Sequence, residues 1–417
     1  MPPPSPHELI IIGGGAAGHF AAASLGEFWP EGHGKRILLL EKAPKVLAKV
    51  KISGGGRCNV THDCEAPRPL VDHYPRGHRS LIGPFSRWGT RDTTAWFEAR
   101  GVPLKSEADG RIFPLSDSSQ SVIDCLQAAV RQAGAEVRTS TGVHSVQHAE
   151  GLFQLDLGGE TLSTRRLLLA TGGTRLAAST RLAEQLGHQL NPAIPSLFAF
   201  NIADSALCEL SGLSVQNARL SLPGSKITSA GPLLITHRGL SGPAALKLSA
   251  WAAPFCHEKN YHFPLLINWL PDCEPARLLA SAREKHPKRL VARHSPHPEL
   301  PRRLWAYFCE RAALAPELTW SHLPKDKARQ LADFLTASRF EVSGQSTNKD
   351  EFVTCGGVPL KEINLKTMES KLCPGLFFAG EVMDIDGVTG GFNFQNAWTS
   401  ARLAAENIAH SLSSDPT

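Results

Sequence analysis

Nowhere in these 417 residues does an apolar run reach the length of about 18 that an ordinary membrane-spanning helix needs. The first residues, MPPPSPHEL, show no apolar stretch between a basic start and a small-residue cleavage site, so no secretory signal is read there. No CxxC pair occurs, and no cysteine or histidine spacing suggests a metal site. The nine cysteines are odd in number and scattered without a framework, which predicts a reduced, cytoplasmic protein. Excess charge is also scarce. Lys and Arg total 44 against 39 Asp and Glu, a net of +5 that suits anionic cofactors or substrates without requiring nucleic acid.

What is present is the balance of a soluble globular chain, 42% hydrophobic and 20% charged. Its length exceeds one ordinary core and predicts two domains, or one domain carrying a large insertion. The segment ELIIIGGGAAGHFAAASLGE opens with an apolar run, Leu9 to Ile12, of the kind a buried parallel strand needs. Gly13, Gly15 and Gly18 follow as G-x-G-x-x-G, then an Ala-rich helical stretch. Gly13 permits the tight turn, Gly15 lets backbone approach a pyrophosphate, and Gly18 lets the helix pack close to the strand. A second apolar strand, Ile37 to Leu40, ends at Glu41, where a dinucleotide fold places the acid that binds ribose hydroxyls. An acid there disfavours a 2′-phosphate, so the reading is FAD or NAD rather than NADP.

Two later strands end alike. LLLATGG closes on Ala170, Thr171 and Gly172, and LFFAGEVMD closes on Gly380 and Glu381. Together with the first fingerprint they resemble the motifs of the two-dinucleotide-binding-domain flavoproteins, with their glutathione reductase type of FAD domain. In that superfamily the ATG turn backs the cofactor and the last acid holds ribityl hydroxyls. Between them, Val122, Leu126, Ala129 and Val130 keep a helical period that closes near Gly134, and EVRTSTGVHSV and LFQLDL read as strands. From about Pro195 to Phe340 the pattern turns irregular and lacks any glycine fingerprint, before nucleotide-domain style returns near the C-terminus.

Four stretches narrow the resemblance: SGGGRCNVTH, THRGLSGPAALKLS, TCGGVPLKEINLKTMESK and GEVMDIDGVTGGFNFQNAWTSAR. They are similar to signature segments of the BaiN-like (YhiN-type) NAD(P)/FAD-dependent oxidoreductases, and the match runs along essentially the whole chain. The resemblance implies an α/β, Rossmann-like FAD domain built from both chain ends, here 1–194 and 341–417. It also implies an inserted β-barrel-like domain with a small helical subdomain, here 195–340. It places SGGGRCN in the FAD site. There Gly54, Gly55 and Gly56 would form an anion-binding nest, Arg57 would add charge toward phosphate or isoalloxazine, and Asn59 would offer hydrogen bonds.

Cys58 and Cys64 invite comparison with a redox disulfide, but their spacing is C-x5-C and no second G-x-G-x-x-G is present. Cys58 therefore reads as a small side chain packed beside the glycines. Gly390, Gly391, Phe392 and Asn393 open the last helix, whose N-terminus would stabilise negative charge on a reduced flavin. Asp386 either bonds the cofactor or caps its turn. The cofactor-binding set also takes in Ala16, Ala17, Lys42, Ser53 and Val143. His237 either faces the substrate or is structural, and no side chain stands out as a general acid or base.

The expectation is an FAD-dependent oxidoreductase. Reduced NAD(P)H would visit transiently as electron donor, and the acceptor would be an unsaturated or carbonyl-containing small molecule. Neither nucleic acid nor membrane is expected as a partner, because the basic stretch 284–303 reads as a solvated face. Two alternatives stand beside it. One is a flavin-dependent RNA-modifying enzyme, and the other a non-catalytic FAD-binding sensor or assembly protein.

Overall fold

Leu9–Ile12 has no polar side to turn to water, and the chain covers it from both flanks. In the computed structural model, which describes residues 5–29, 36–173, 177–346 and 353–414, the strand His7–Ile12 lies between Ile37–Leu40 and Thr161–Leu169, parallel to both. Parallel pairing continues outward to Glu136–Arg138 on one side and Leu376–Phe378 on the other. Short antiparallel strands, Glu369–Ser370 and Ile363–Asn364, extend the second edge. A hairpin, Ser145–Ala149 with Leu152–Asp156, attaches to Thr161–Leu169 and completes a nine-stranded sheet.

The helices Ala16–Phe28 and Phe392–Ser414 pack on each other, and Ala17, Ala21, Ala397 and Ala401 in them are buried. Their alanines permit close approach, and Phe20 meets Trp398 at 5.2 Å between ring centroids. Helix Ser119–Gln132 forms where the apolar period predicts it. Ser118 caps it by accepting from Gln120 N, and Val122, Leu126, Ala129 and Val130 are buried. Among the described residues no helix is long and apolar enough to cross a membrane.

The chain divides into two compact units, Met1–Pro195 with Lys349–Thr417, and Ser196–Asn348. The second holds a closed six-stranded antiparallel barrel in the order Ala199–Ile202, Gly239–Ser241, Thr228–Thr236, Ser214–Ser221, His262–Asn268, Ser338–Ser346. Its alternation is regular in His262–Asn268, where Phe263, Leu265 and Ile267 point inward. Elsewhere the period is broken by register shifts between Val215 and Ala218 and between Asn201 and Ile202, so the sequence reads as irregular there. Helices Pro275–Lys285, Arg302–Arg311 and Lys325–Ala337 pack in the same core, around Trp305 stacked on Trp320. The architecture is thus the expected one: an α/β Rossmann-like fold from both chain ends, with an inserted closed barrel and helical subdomain. A two-stranded ladder, Asn191–Ser196 with Val353–Gly357, pairs the chain just before and just after the insertion.

Candidate cofactor site

Register brings the motifs together. Ile12 stands opposite both Leu40 and Leu169, and Leu169 stands opposite Phe378. Gly13, Glu41, Ala170 and Ala379 are therefore the next residues on one edge of four adjacent parallel strands. The ladder runs one step further through Gly13 N to Leu40 O, Ala170 N to Ile12 O and Ala379 N to Leu169 O. The crevice beyond the carboxyl ends of such strands is where open α/β sheets bind ligands.

The glycines of the first turn divide by what surrounds them. Gly13 has φ +117°, and a Cβ there would lie 2.2 Å from Ala170 O. At Gly18 it would lie 2.0 Å from Gly13 O. Both are demanded by backbone packing. Gly15 is different: its φ of −85° suits any residue, and a Cβ would meet nothing within 4 Å. It is the N-cap of the helix that begins at Ala16 and Ala17, with no side-chain cap and no acid in the first turn. An open glycine before an uncapped helix start fits a diphosphate.

Glu41 is pinned beside that turn. Its Oε2 accepts from Gly14 N and its Oε1 from Ala43 N, both at 2.8 Å. Each oxygen keeps a further acceptor site, which suits a ribose hydroxyl. Lys42 is exposed, and Thr141 N donates to Glu41 O, bringing the half-buried Val143 close in the chain to this corner.

Ser53–Gly56 forms a tight turn in which Gly54, Gly55 and Gly56 have φ of +58°, +69° and +86°. Gly54 packs against the Phe113 ring, whereas Gly55 and Gly56 face open space. Arg57 does not extend freely. Its guanidinium lies 2.6 Å from Glu107 and 3.6 Å from Asp117, above the Phe113 ring. Cys58 is fully buried with φ +63°, and burial pushes its thiol up to about 12. Cys64 is half-buried, its thiol raised by burial and then by Asp63 and Asp72. Both are free thiols, and neither environment makes a reactive thiolate. Asn59 accepts from Gly391 N at 2.9 Å and donates to Thr61 O and Ile112 O.

The last loop closes over the same corner. A Cβ on Gly380 would sit 3.1 Å from Ala17 Cβ. Glu381 Oε2 accepts from Lys49 Nζ at 2.7 Å, and the turn at Gly172 and Gly173 lies against the same carboxylate oxygen. Thr171 Oγ1, at the end of the strand that leads into the crevice, is buried without a partner among the described residues. Asp386 is fully buried, and its carboxylate is held by both Nε and Nη2 of Arg76.

Gly390 and Gly391 have φ of +129° and +88° and lead into the helix starting at Phe392. Phe392 stacks on both His62 and His73, with centroids at 4.8 and 4.2 Å, and the two histidine rings also meet each other at 5.8 Å. Its carbonyl accepts from Tyr74 Oη, and Asn393 bonds both N and O of Gly387. Thr61 Oγ1 donates to Gln395 at 2.6 Å, and Trp398 Nε1 to Val60 O. Sequence reasoning missed Lys49, His73, Tyr74 and Arg76, whose partners lie more than 300 residues away. His237 is exposed in the hairpin turn before Gly239–Ser241 of the other unit.

An uncapped helix start, a pinned acid at the second strand end, an open glycine nest and a lone buried hydroxyl fit a flavin dinucleotide. Fold and site define an FAD-binding oxidoreductase of the two-dinucleotide-binding type. A solved structure of the same overall fold is the 3-ketosteroid-Δ4-(5α)-dehydrogenase of Rhodococcus jostii RHA1, at TM-score 0.52 and 13% identity over 97% of each chain. The chain belongs to the HI0933-like Rossmann-domain family, whose model matches residues 7–407.

It is 33% identical to the ribosomal RNA dihydrouridine synthase of Escherichia coli K12, over 98% of this chain and 99% of that one. It is 26% identical to the 3-dehydro-bile acid Δ(4,6)-reductase of Clostridium scindens, over 97% and 99%. The first of these corrects one sequence expectation. Setting nucleic acid aside as a partner rested on a modest net charge and sparse aromatics, and neither outweighs end-to-end kinship with an enzyme named for its action on RNA.

Proposed function

We propose that this chain is an FAD-dependent reductase that adds hydrogen across the C5–C6 double bond of uracil in ribosomal RNA, with NAD(P)H as donor. The observation carrying this is the 33% identity to a ribosomal RNA dihydrouridine synthase across nearly all of both chains. The bile-acid relative is also named as a reductase of ring unsaturation, so the two names share the addition of hydrogen to a double bond and differ in the acceptor. Bound FAD would supply the hydride chemistry. The residues of this chain hold and orient it. Gly15 and the helix start take the diphosphate, Glu41 the adenosine ribose, and Glu381 with Thr171 the ribityl side. Gly54–Gly56 and the helix start at Gly391 line the flavin end, with Arg57, Cys58 and Asn59 shaping that loop.

Purified holoprotein incubated anaerobically with NADH or NADPH and unmodified ribosomal RNA transcripts tests the reading by nucleoside mass spectrometry. Dihydrouridine is expected, at a discrete position. Flavin that NAD(P)H reduces, that RNA leaves reduced, and that a small-molecule enone reoxidises would overturn it.

A further inference from the structure

The chain's excess charge is concentrated in one place. Residues 283–303 hold seven cations (Arg283, Lys285, Lys288, Arg289, Arg293, Arg302 and Arg303) and two acids, Glu284 and Glu299. These 21 residues thus carry a net of +5, as much as the whole protein, and the remainder is neutral by count. All seven cations are exposed.

In the nucleotide-binding unit, Arg57, Arg76, Arg87, Arg100, Arg111, Arg138 and Arg402 each meet a carboxylate. Among the described residues, Lys285, Lys288, Arg289, Arg293 and Arg302 have no carboxylate within 4.0 Å. Cations without a carboxylate within 4.0 Å also occur elsewhere among the described residues, Arg68, Arg79 and Arg91 among them, but in this stretch they follow one another closely along the chain. They belong to the end of helix Pro275–Lys285, the loop after it, and the start of helix Arg302–Arg311. Lys285, His286, His294, His297 and Arg302 line one open depression of about 660 Å³. Arg289 reaches His294 at 3.2 Å. The cations act on a common point: His294 is held below its ordinary range by burial first, and then by the charges of His286, Arg289 and Arg302. The loop is tied to the helical core at Val291, where Trp305 Nε1 donates to Val291 O and Val291 N to Leu318 O.

We infer that this face of the inserted unit docks the phosphate backbone of a folded RNA, with Lys285, Lys288, Arg289, Arg293 and Arg302 as the phosphate contacts. The inference rests on the RNA-reductase reading and adds where the RNA is gripped. Clustered cations without acidic partners are what phosphate binding needs, because each contact releases condensed counterions and makes affinity fall with salt. Contacts of this kind position the RNA and leave choice of base to the reacting site.

The test uses flavin-loaded full-length protein and unmodified ribosomal RNA transcripts, with dissociation constants from filter binding at several salt concentrations. The triple variant Lys288→Gln, Arg289→Gln, Arg293→Gln should lose about tenfold to a thousandfold in affinity. The slope of log affinity against log salt should become shallower by roughly two to three. Flavin content and the rate of flavin reduction by NAD(P)H should stay at wild-type values. A control removes three exposed cations of the same unit, Lys259→Gln, Lys325→Gln and Arg329→Gln, and should change affinity by less than threefold. A basic-face variant that binds like wild type, or a control that loses as much, overturns the docking face while the reductase reading stands. Wild-type protein that neither binds the transcripts nor reduces them overturns that reading, and the docking face with it.

Discussion

Lys49 and Glu381, 332 positions apart, meet at 2.7 Å where the first and last segments of the cofactor crevice come together. Lys49 is about half exposed, so solvent screens the pair and its worth is below about 1 kcal/mol. Lys49→Gln and Glu381→Gln should each weaken FAD binding by the apoprotein, with the glutamate variant the worse. The coupling in a double-mutant cycle should stay within about fivefold. A coupling near a hundredfold would mean that cofactor binding strips water from the pair, contrary to this account.

The glycines of the first turn should separate folding from binding. Gly15→Val has room within the protein but enters the space assigned to the diphosphate. Its apoprotein should unfold at the wild-type urea midpoint and bind FAD at least tenfold more weakly. Gly13→Ala and Gly18→Ala collide with backbone and should destabilise the apoprotein itself. Equal FAD affinity in Gly15→Val would place the diphosphate elsewhere.

Denatured wild-type protein should release FAD and no FMN on chromatography, because the proposed reading puts the adenosine half at the Glu41 corner. Glu41→Ala should raise the dissociation constant for FAD about ten- to hundredfold, the loss of one charge-assisted bond of roughly 1.5–3 kcal/mol. An unchanged constant would leave Glu41 only its two backbone amides.

Arg76 and Asp386 form a buried ion pair. Arg76→Ala strands a fully buried carboxylate and should cost about 3–5 kcal/mol in equilibrium unfolding. Arg76→Ala with Asp386→Asn should recover part of that loss. A single variant as stable as wild type would show that the pair is not maintained in solution.

Cys58 makes a pH prediction with a definite sign. Its thiol titrates near 9.0 when unfolded and at about 12 when folded. Between these values the unfolded chain has lost the proton and the native one retains it, so native stability falls as pH rises above about 9. The slope approaches about 1.4 kcal/mol per pH unit, and Cys58→Ala should remove that part. Urea midpoints of the two proteins should keep a constant offset below pH 9, and only above it should the wild type fall relative to Cys58→Ala. Curves that stay parallel above pH 9 would contradict the burial. Anaerobic dithionite titration should show about two electrons per FAD in wild type and in Cys58→Ser, since no disulfide joins Cys58 to Cys64.

The strand ends were legible because each carries its own local signal: an apolar run closed by glycine or by an acid. Gly13, Glu41, Ala170 and Gly380 could be read as strand-end residues from that alone, and the register then sets Gly13, Glu41, Ala170 and Ala379 on one edge. The barrel was legible only through the family resemblance and not from periodicity, since bulges near Val215 and Asn201 break the two-residue period that announces a strand. Nor were the pairings that fix the site, such as Lys49 with Glu381 or Tyr74 with Phe392. They join segments over 300 residues apart and leave no mark on either one. The basic stretch was visible as charge, but its lack of acidic partners is a property of three dimensions.

The ladder of Asn191–Ser196 with Val353–Gly357 gives the long excursion between them the closure of a hairpin. A Cβ at Gly356 would lie 2.2 Å from Pro192 O, so the strands touch as closely as backbones can. With the entry and exit clasped side by side, the entropy of closing that loop grows only slowly with its length. The sheet is thereby insulated from the size of what hangs beyond the clasp. The inserted unit could be exchanged for a shorter or longer one while Ile12, Leu40, Leu169 and Phe378 kept their register. Such a molecule is modular in the mechanical sense: one half keeps a fixed alignment, and the other is free to be rebuilt around a different partner.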